Sequence, residues 1–382
     1  MTGTLSRWVA ALALAAGVVA AVPAAATAAP VGNAPGTVID VGDLPASLWI
    51  PGTGSAKRIT YWSIGSDGRP AQSSGAYFLP TGTPPPGGWP VIGWAHGTSG
   101  LGDDCAPSRV GPALPERDRP YLAKWLERGY AVTASDYVGL GTPGVHPYLD
   151  SKVQAHSVVD MVKAGRALEP SLSNRWVAIG QSQGGGAAIA TAAHATEYGG
   201  PSMDFRGAVG TGVPAYIENT LLPLAPSVPP APLPAGITSY IFDILAGLRA
   251  AHPEIDLNSY LTPLGREHVD AAETLCTVPA EEKAAGVVLG AAFAKPLATI
   301  PNFHGLLVDY MALPETGYDR PLFIGQGLTD TDVPAPLASA FAARLAAKGQ
   351  PVTYKAYPSD HSGTFVQSQA DTIPFVARLF EN

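Results

Sequence analysis

The sequence predicts an α/β fold: a mostly parallel central sheet with helices on both faces and an inserted, mainly helical cap. Three observations carry this. Short apolar runs bounded by turn residues alternate with stretches of helical spacing, the pattern of strands buried on both faces beneath crossover helices. That rhythm stops over residues 214–318 and then resumes, which places an insertion between two neighbouring strands. Apolar residues make up 46% of the 382, enough to fill a core on both sheet faces. One large domain with an insertion suits this length better than two independent domains.

The elements follow in order. Residues 1–28 read as a cleaved export signal: Arg7 supplies the one positive charge, residues 8–22 are apolar or small, and Ala26-Thr27-Ala28 gives the small-x-small cleavage pattern. The run is too short and alanine-rich for a membrane anchor. The first part of the core, residues 29–213, begins with a Gly/Pro-rich arm over 29–48 that is expected to be loosely held. Strands are expected at 58–64, 75–79, 91–95, 130–135, 176–180 and 206–210. Helices are expected at 119–128, closed by Gly129, at 151–168, stopped by Pro170, and at 184–194. The inserted cap, 214–318, carries Pro-rich and helical segments such as 238–251. The second part of the core, 319–382, resumes with a strand (321–325), a helix (335–347), a strand (352–357) and a helix (370–380).

Composition narrows the function class. The net charge of −8 and the absence of a basic block argue against nucleic acid and against an anionic membrane patch as partner. The 43 glycines and 38 prolines sit between apolar runs, so they mark tight turns rather than disorder. Two cysteines, Cys105 and Cys276, permit one intramolecular pairing, and an exported chain favours it as a disulfide. Neither has a second Cys or a close His at metal-ligand spacing, so no metal is expected.

The chemistry centres on Gly180-Gln181-Ser182-Gln183-Gly184. This G-x-S-x-G pattern is weak alone, but a buried strand precedes it and a helix follows it. A sharp strand-to-helix turn lifts the serine oxygen clear of its neighbours and aims helix N–H groups at the same point. A serine hydroxyl needs a base to take its proton. Gly327-Leu328-Thr329-Asp330 follows one late strand, and His361 follows the next. The order Ser182, Asp330, His361 is that of the α/β-hydrolase fold. His361 is expected as general base and acid, and Asp330 as the group that holds its tautomer. Asp332 is the rival acid. Its place before Val333-Pro334 suggests instead a helix cap.

A developing oxyanion needs two preplaced N–H donors. The backbone N–H of Gln183 is one candidate. Thr98, in His96-Gly97-Thr98-Ser99-Gly100, is the other, with Gly97 as alternative. His96 reads as a residue that hydrogen-bonds its own loop. Asp136-Tyr137-Val138-Gly139-Leu140-Gly141-Thr142 reads as a structural turn tied by Asp136 hydrogen bonds, with Tyr137 lining the substrate pocket as the alternative.

Taken together, Gly87-Gly88-Trp89-Pro90, Trp94-Ala95-His96-Gly97-Thr98, Cys105-Ala106-Pro107-Ser108, Asp136-Tyr137-Val138-Gly139-Leu140-Gly141 and Gly180-Gln181-Ser182-Gln183-Gly184 resemble the secretory lipase family, with its Candida lipase A-like bacterial members. The similarity runs from about residue 58 to the C-terminus. It implies cofactor-free hydrolysis of acylglycerols and related lipid or short-chain esters, with a helical cap between serine and acid. Ser182, Asp330 and His361 match its triad positions, and Gly327-x-x-Asp330-x-x-Val333-Pro334 resembles its acid loop, which favours Asp330 over Asp332. The expected partner is a small-molecule or lipid ester, with no stable membrane anchor and at most transient contact with a lipid interface. An acyltransferase with the same triad, a peptidase, and a hydrolase-like binding protein without turnover are the competing readings.

Overall fold

The computed structural model describes residues 1–3, 32–220 and 231–381. Contacts divide the chain into Met1–Val31 and Gly32–Asn382, and the fold is that of the second unit. The expected leader lies almost wholly outside the described residues, as do residues 221–230 of the expected cap.

Nine strands form one sheet in the order β1-β2-β3-β5-β4-β6-β7-β8-β9. They are β1 (Val38–Asp43), β2 (Thr53–Ile64), β3 (Pro70–Pro80), β4 (Trp89–Ala95), β5 (Ala131–Val138), β6 (Leu172–Gln181), β7 (Asp204–Thr211), β8 (Leu322–Gly327) and β9 (Val352–Tyr357). The first three pair antiparallel and β3 joins β5 antiparallel; from β5 to β9 all neighbours are parallel. The inner parallel strands β4 to β8 are largely buried, because helices cover them on both sides, whereas the edge strand β9 is mostly exposed or half-buried.

One face packs against α2 (Ser151–Leu168), α3 (Gln183–Gly199) and α8 (Ala335–Ala347) through Val158, Val162, Ala187, Ile189 and Phe341. The other packs against α1 (Pro115–Leu126), α9 (His361–Gln367) and α10 (Gln369–Glu381) through Tyr121, Trp125, Phe365 and Phe375. Local signals set the helix ends. The Asp150 carboxylate caps α2 by accepting from the Lys152 and Val153 N–H groups. Pro115 opens α1, earlier than expected, because proline suits the first helical position.

The arm over 29–48 departs from expectation. Residues 38–43 are not loose but form the edge strand β1, in antiparallel register with β2. Its side chains are nearly all exposed, so ladder hydrogen bonds hold it, and hydrophobic patterning carries no trace of it.

Between β7 and β8 the described chain forms no named strand. It carries α4 (Ala235–Ala251), α5 (Pro263–Ala272), α6 (Thr277–Ala284) and α7 (Phe303–Met311). Phe242, Leu245, Val269, Leu297 and Leu307 give this segment its own apolar cluster, which also takes in Leu101 and Tyr148 from the sheet domain. Cys105 and Cys276 are bonded, 171 positions apart. Beside the bond, the Leu101 N–H donates to the Leu275 carbonyl at 3.3 Å and the Thr277 N–H to the Ser99 carbonyl at 3.1 Å. Gly100, at φ 97°, permits this approach: a Cβ there would overlap the Leu275 backbone. No helix among the described residues is long and apolar enough to cross a membrane.

Candidate active site

Ser182 stands between β6 and α3 with φ 60° and ψ −126°. Positive φ is costly for a non-glycine residue, of order 1–3 kcal/mol, and such strain concentrates at functional sites. The surroundings impose it. Gly180 and Gly184 let strand and helix nearly touch, since a Cβ on Gly184 would overlap the Ala95 carbonyl and one on Gly180 the Gly184 carbonyl. The Ser182 N–H donates to the Thr211 carbonyl at the end of β7, 2.9 Å away. The N–H groups of the first turn of α3, Gln183 foremost, have no acceptor within the helix.

The Thr211–Gly212 corner also abuts the histidine. A Cβ on Gly212 would lie 2.9 Å from Nδ1 of His361. His361 is the first residue of α9, whose N-cap Asp360 accepts from the Gly363 N–H at 2.7 Å. Its Nδ1 is 2.7 Å from Oδ2 of Asp330. An ionised carboxylate only accepts, so Nδ1 carries the proton and the Nε2 lone pair is left free. Asp330 is set by its loop: Oδ1 accepts from the N–H groups of Asp332 (3.0 Å) and Val333 (2.8 Å), and Oδ2 also accepts from Nε2 of Gln326 (3.0 Å).

Asp332 is placed differently from expectation. It does not cap α8, whose N-cap is Pro334 with no side-chain cap bond. The turn is closed by Asp330 instead, and Asp332 faces a cavity of about 370 Å³ that opens on Ser182. That cavity is walled by Tyr148, Leu149, Gln183, Ile217, Thr331, Asp332, Val333 and, from α4, Ile237, Ile241 and Ile244. Its lining is mostly apolar, with Ser182, Gln183, Tyr148, Thr331 and Asp332 among its few polar groups.

Thr98 borders the site through its hydroxyl, 2.6 Å from that of Tyr148. Gly97 lies against the serine turn: a Cβ there would be 3.6 Å from the Ser182 Cβ. Tyr137, for which pocket lining is the alternative to a structural turn, is not among the residues that wall this cavity. Its φ of 73° turns the ring inward, it is fully buried, and its hydroxyl donates to the His96 carbonyl at 2.9 Å. Asp136 ties the turn, accepting from Ser74, from the Ser108 N–H at 2.9 Å and from the Ser108 hydroxyl. His96 contacts the carbonyls of Gly97 and Asp136, and burial lowers its pKa.

Three residues of the site escape sequence reading: His146 and Tyr148, which sit in an unpatterned loop, and Gln326, which reads as an ordinary strand residue. The segment His146-Pro147-Tyr148 carries no periodic signal, and only the folded loop brings His146 to Gln183 and Tyr148 to Thr98. Among the described residues no group of three or more His, Cys, Asp or Glu is arranged to hold a metal.

Solved structures share this architecture. Candida antarctica lipase A in its closed state is 18% identical, over 91% of this chain and 83% of that one, with a TM-score of 0.75. The rice cell wall degrading esterase LipA from Xanthomonas oryzae is 21% identical over 88% of this chain and 98% of that one, with a TM-score of 0.69. A putative hydrolase from Legionella pneumophila is 19% identical over 90% and 98%, also at 0.69. At such identities the likeness is one of fold. No curated protein matches the sequence. The secretory lipase family model, however, matches residues 112–382, a span that runs from the start of α1 through the serine turn, the inserted segment and both late loops. With that match spanning more than half of the chain, the chain belongs to the secretory lipase family.

Proposed function

We propose that this protein is a secreted serine carboxylic-ester hydrolase, acting on acylglycerols or related lipid and short-chain esters through an acyl-enzyme. The observation that carries the reading is the 2.7 Å contact of His361 Nδ1 with Asp330 Oδ2, beside a strained serine that opens on an apolar cavity.

The steps follow from the groups present. The Ser182 Oγ attacks the ester carbonyl carbon while His361 Nε2 takes its proton. Negative charge moves to the former carbonyl oxygen, which accepts from the backbone N–H of Gln183 and a donor of the 97–98 loop, with Thr98 the proposed residue. Asp330 stabilises the imidazolium. Collapse breaks the bond to the alkoxide, which takes the proton from His361, leaving the acyl group on Ser182. Water repeats the sequence with His361 again as base, releasing the carboxylic acid and restoring the serine.

Residues 214–318 act as a cap over this site. In support, α4 supplies Ile237, Ile241 and Ile244 to the cavity wall, and the Cys105–Cys276 bond ties the segment to the loop that follows Thr98. Export through the 1–28 leader agrees with that disulfide, since such bonds persist in oxidising compartments. Leu114, just before α1, and Val366, within α9, are both exposed and line one surface depression; they offer apolar surface for transient contact with lipid.

A panel of p-nitrophenyl esters of graded acyl length tests the reading. Wild type should hydrolyse them and Ser182→Ala should not. Turnover surviving that substitution at more than about a thousandth of wild type would overturn it. Product analysis with added alcohol separates hydrolysis from acyl transfer.

A further inference from the structure

The turn after β5 holds more buried polar contacts than a connector needs. The Tyr137 ring lies stacked on His146, centroids 5.5 Å apart and planes within 10°, and packs against His96 at 4.5 Å. Nδ1 of His146 is 2.9 Å from the Val138 carbonyl oxygen, and Nε2 is 2.8 Å from Nε2 of Gln183. A carbonyl only accepts, so Nδ1 bears the proton, and the Nε2 lone pair accepts from the Gln183 amide. With His146 neutral, the opposite amide orientation would set an oxygen against that lone pair. His146 is almost fully buried, and burial pushes it down to about 4, so the neutral ring is the form present near neutrality.

These contacts make one chain: Gln183 side chain, His146, Tyr137, His96 carbonyl. Its two ends are the first residue of α3 and the start of the 96–98 loop, the two elements from which the oxyanion donors come in the proposed function. We propose that His146 is a positioning residue for the oxyanion hole, fixing Gln183 relative to the 96–98 loop. This rests on the serine-hydrolase reading. Donors that stabilise a developing charge act only when held in place beforehand, and their loss falls on kcat rather than on ground-state binding.

Two substitutions separate positioning from packing. The His146→Gln amide can put an acceptor near the place of Nε2, towards Gln183. The shorter His146→Asn amide can keep the donor to Val138 but not reach Gln183. Kinetics with p-nitrophenyl butyrate should show His146→Asn losing about tenfold or more in kcat, with KM within twofold. His146→Gln should recover most of that loss. Gln183→Leu, which removes the partner amide, should match His146→Asn, and combining the two should add little. Equal kcat in the Gln and Asn variants, or losses confined to KM or thermal midpoint, would overturn the inference. If His146→Asn does not fold, Gln183→Leu decides alone: kcat within twofold of wild type overturns it. Fluorophosphonate labelling of Ser182 in wild type keeps the two levels apart. Without that label the hydrolase reading itself fails and the inference falls with it; with the label and unchanged kcat, only the role of His146 fails.

Discussion

Asp330 accepts hydrogen bonds from Gln326, Asp332, Val333 and His361. A carboxylate so held is fixed in place, and one oxygen serves both Gln326 and the imidazole. In Asp330→Asn the geometry can survive, but an amide at that position favours the wrong histidine tautomer. We expect turnover to fall by roughly four orders of magnitude. Asp332→Asn should cost far less, since Asp332 faces the cavity and the carboxylate against His361 Nδ1 is that of Asp330. Steady-state kinetics of the pair checks this, and the reverse ranking would show that the wrong carboxylate is assigned. At this scale the sequence is informative where a residue type and chain order define a role. It orders Ser182, Asp330 and His361, but it favours Asp330 partly through a cap at Asp332 that does not form. It leaves Tyr137 open between a structural turn and the pocket wall, because location along a strand end does not reveal a left-handed turn that buries the ring. His146 is illegible, since its partners lie 8 and 37 positions away and only the folded turn unites them.

Among the elements, the strand-to-helix turn at Ser182 is the most constrained. Strand β6 and helix α3 approach so closely that Gly184 abuts the Ala95 and His96 carbonyls. In Gly184→Ala the new methyl meets backbone, which cannot swing aside as a flexible side chain would. We expect a loss of stability of about 1–3 kcal/mol or more. Turnover should fall further than stability explains, because the displaced carbonyls begin the 96–98 loop. Chemical denaturation alongside kcat reads both, and wild-type behaviour would contradict the packing described. Parallel strands and their helices are legible because burial on both faces leaves continuous apolar runs. The edge strand β1 is not, because an exposed strand held by its ladder leaves no such run.

For the whole molecule, the Cys105–Cys276 bond joins the sheet domain to the inserted segment across 171 positions. The chain-entropy model assigns a loop of that length about 5 kcal/mol, with measured values often lower. The Cys105→Ser, Cys276→Ser double variant should melt earlier and lose more activity on long acyl esters than on acetate or butyrate, because only long chains need the far cavity wall. An unchanged chain-length profile would leave the bond a structural staple alone. Acid should also weaken the fold through His146. Its folded pKa is pushed down to about 4 by burial, below the roughly 6.5 of an unfolded histidine. The unfolded chain therefore takes the proton first. The stability this residue contributes is complete above about 6.5 and is lost as pH falls towards 4, about 3 kcal/mol in all. Burial lowers His96 in the same direction. Urea midpoints between pH 7 and 5 should fall less steeply in His146→Gln than in wild type; equal slopes would contradict a neutral buried ring.

The central claim is that Ser182 is the nucleophile, and covalent labelling tests it most directly. Native protein treated with a fluorophosphonate should gain a single adduct by intact mass, peptide mapping should place it on Ser182, and Ser182→Ala should gain none. An adduct on another residue, or an unlabelled wild type that still hydrolyses esters, would contradict the account.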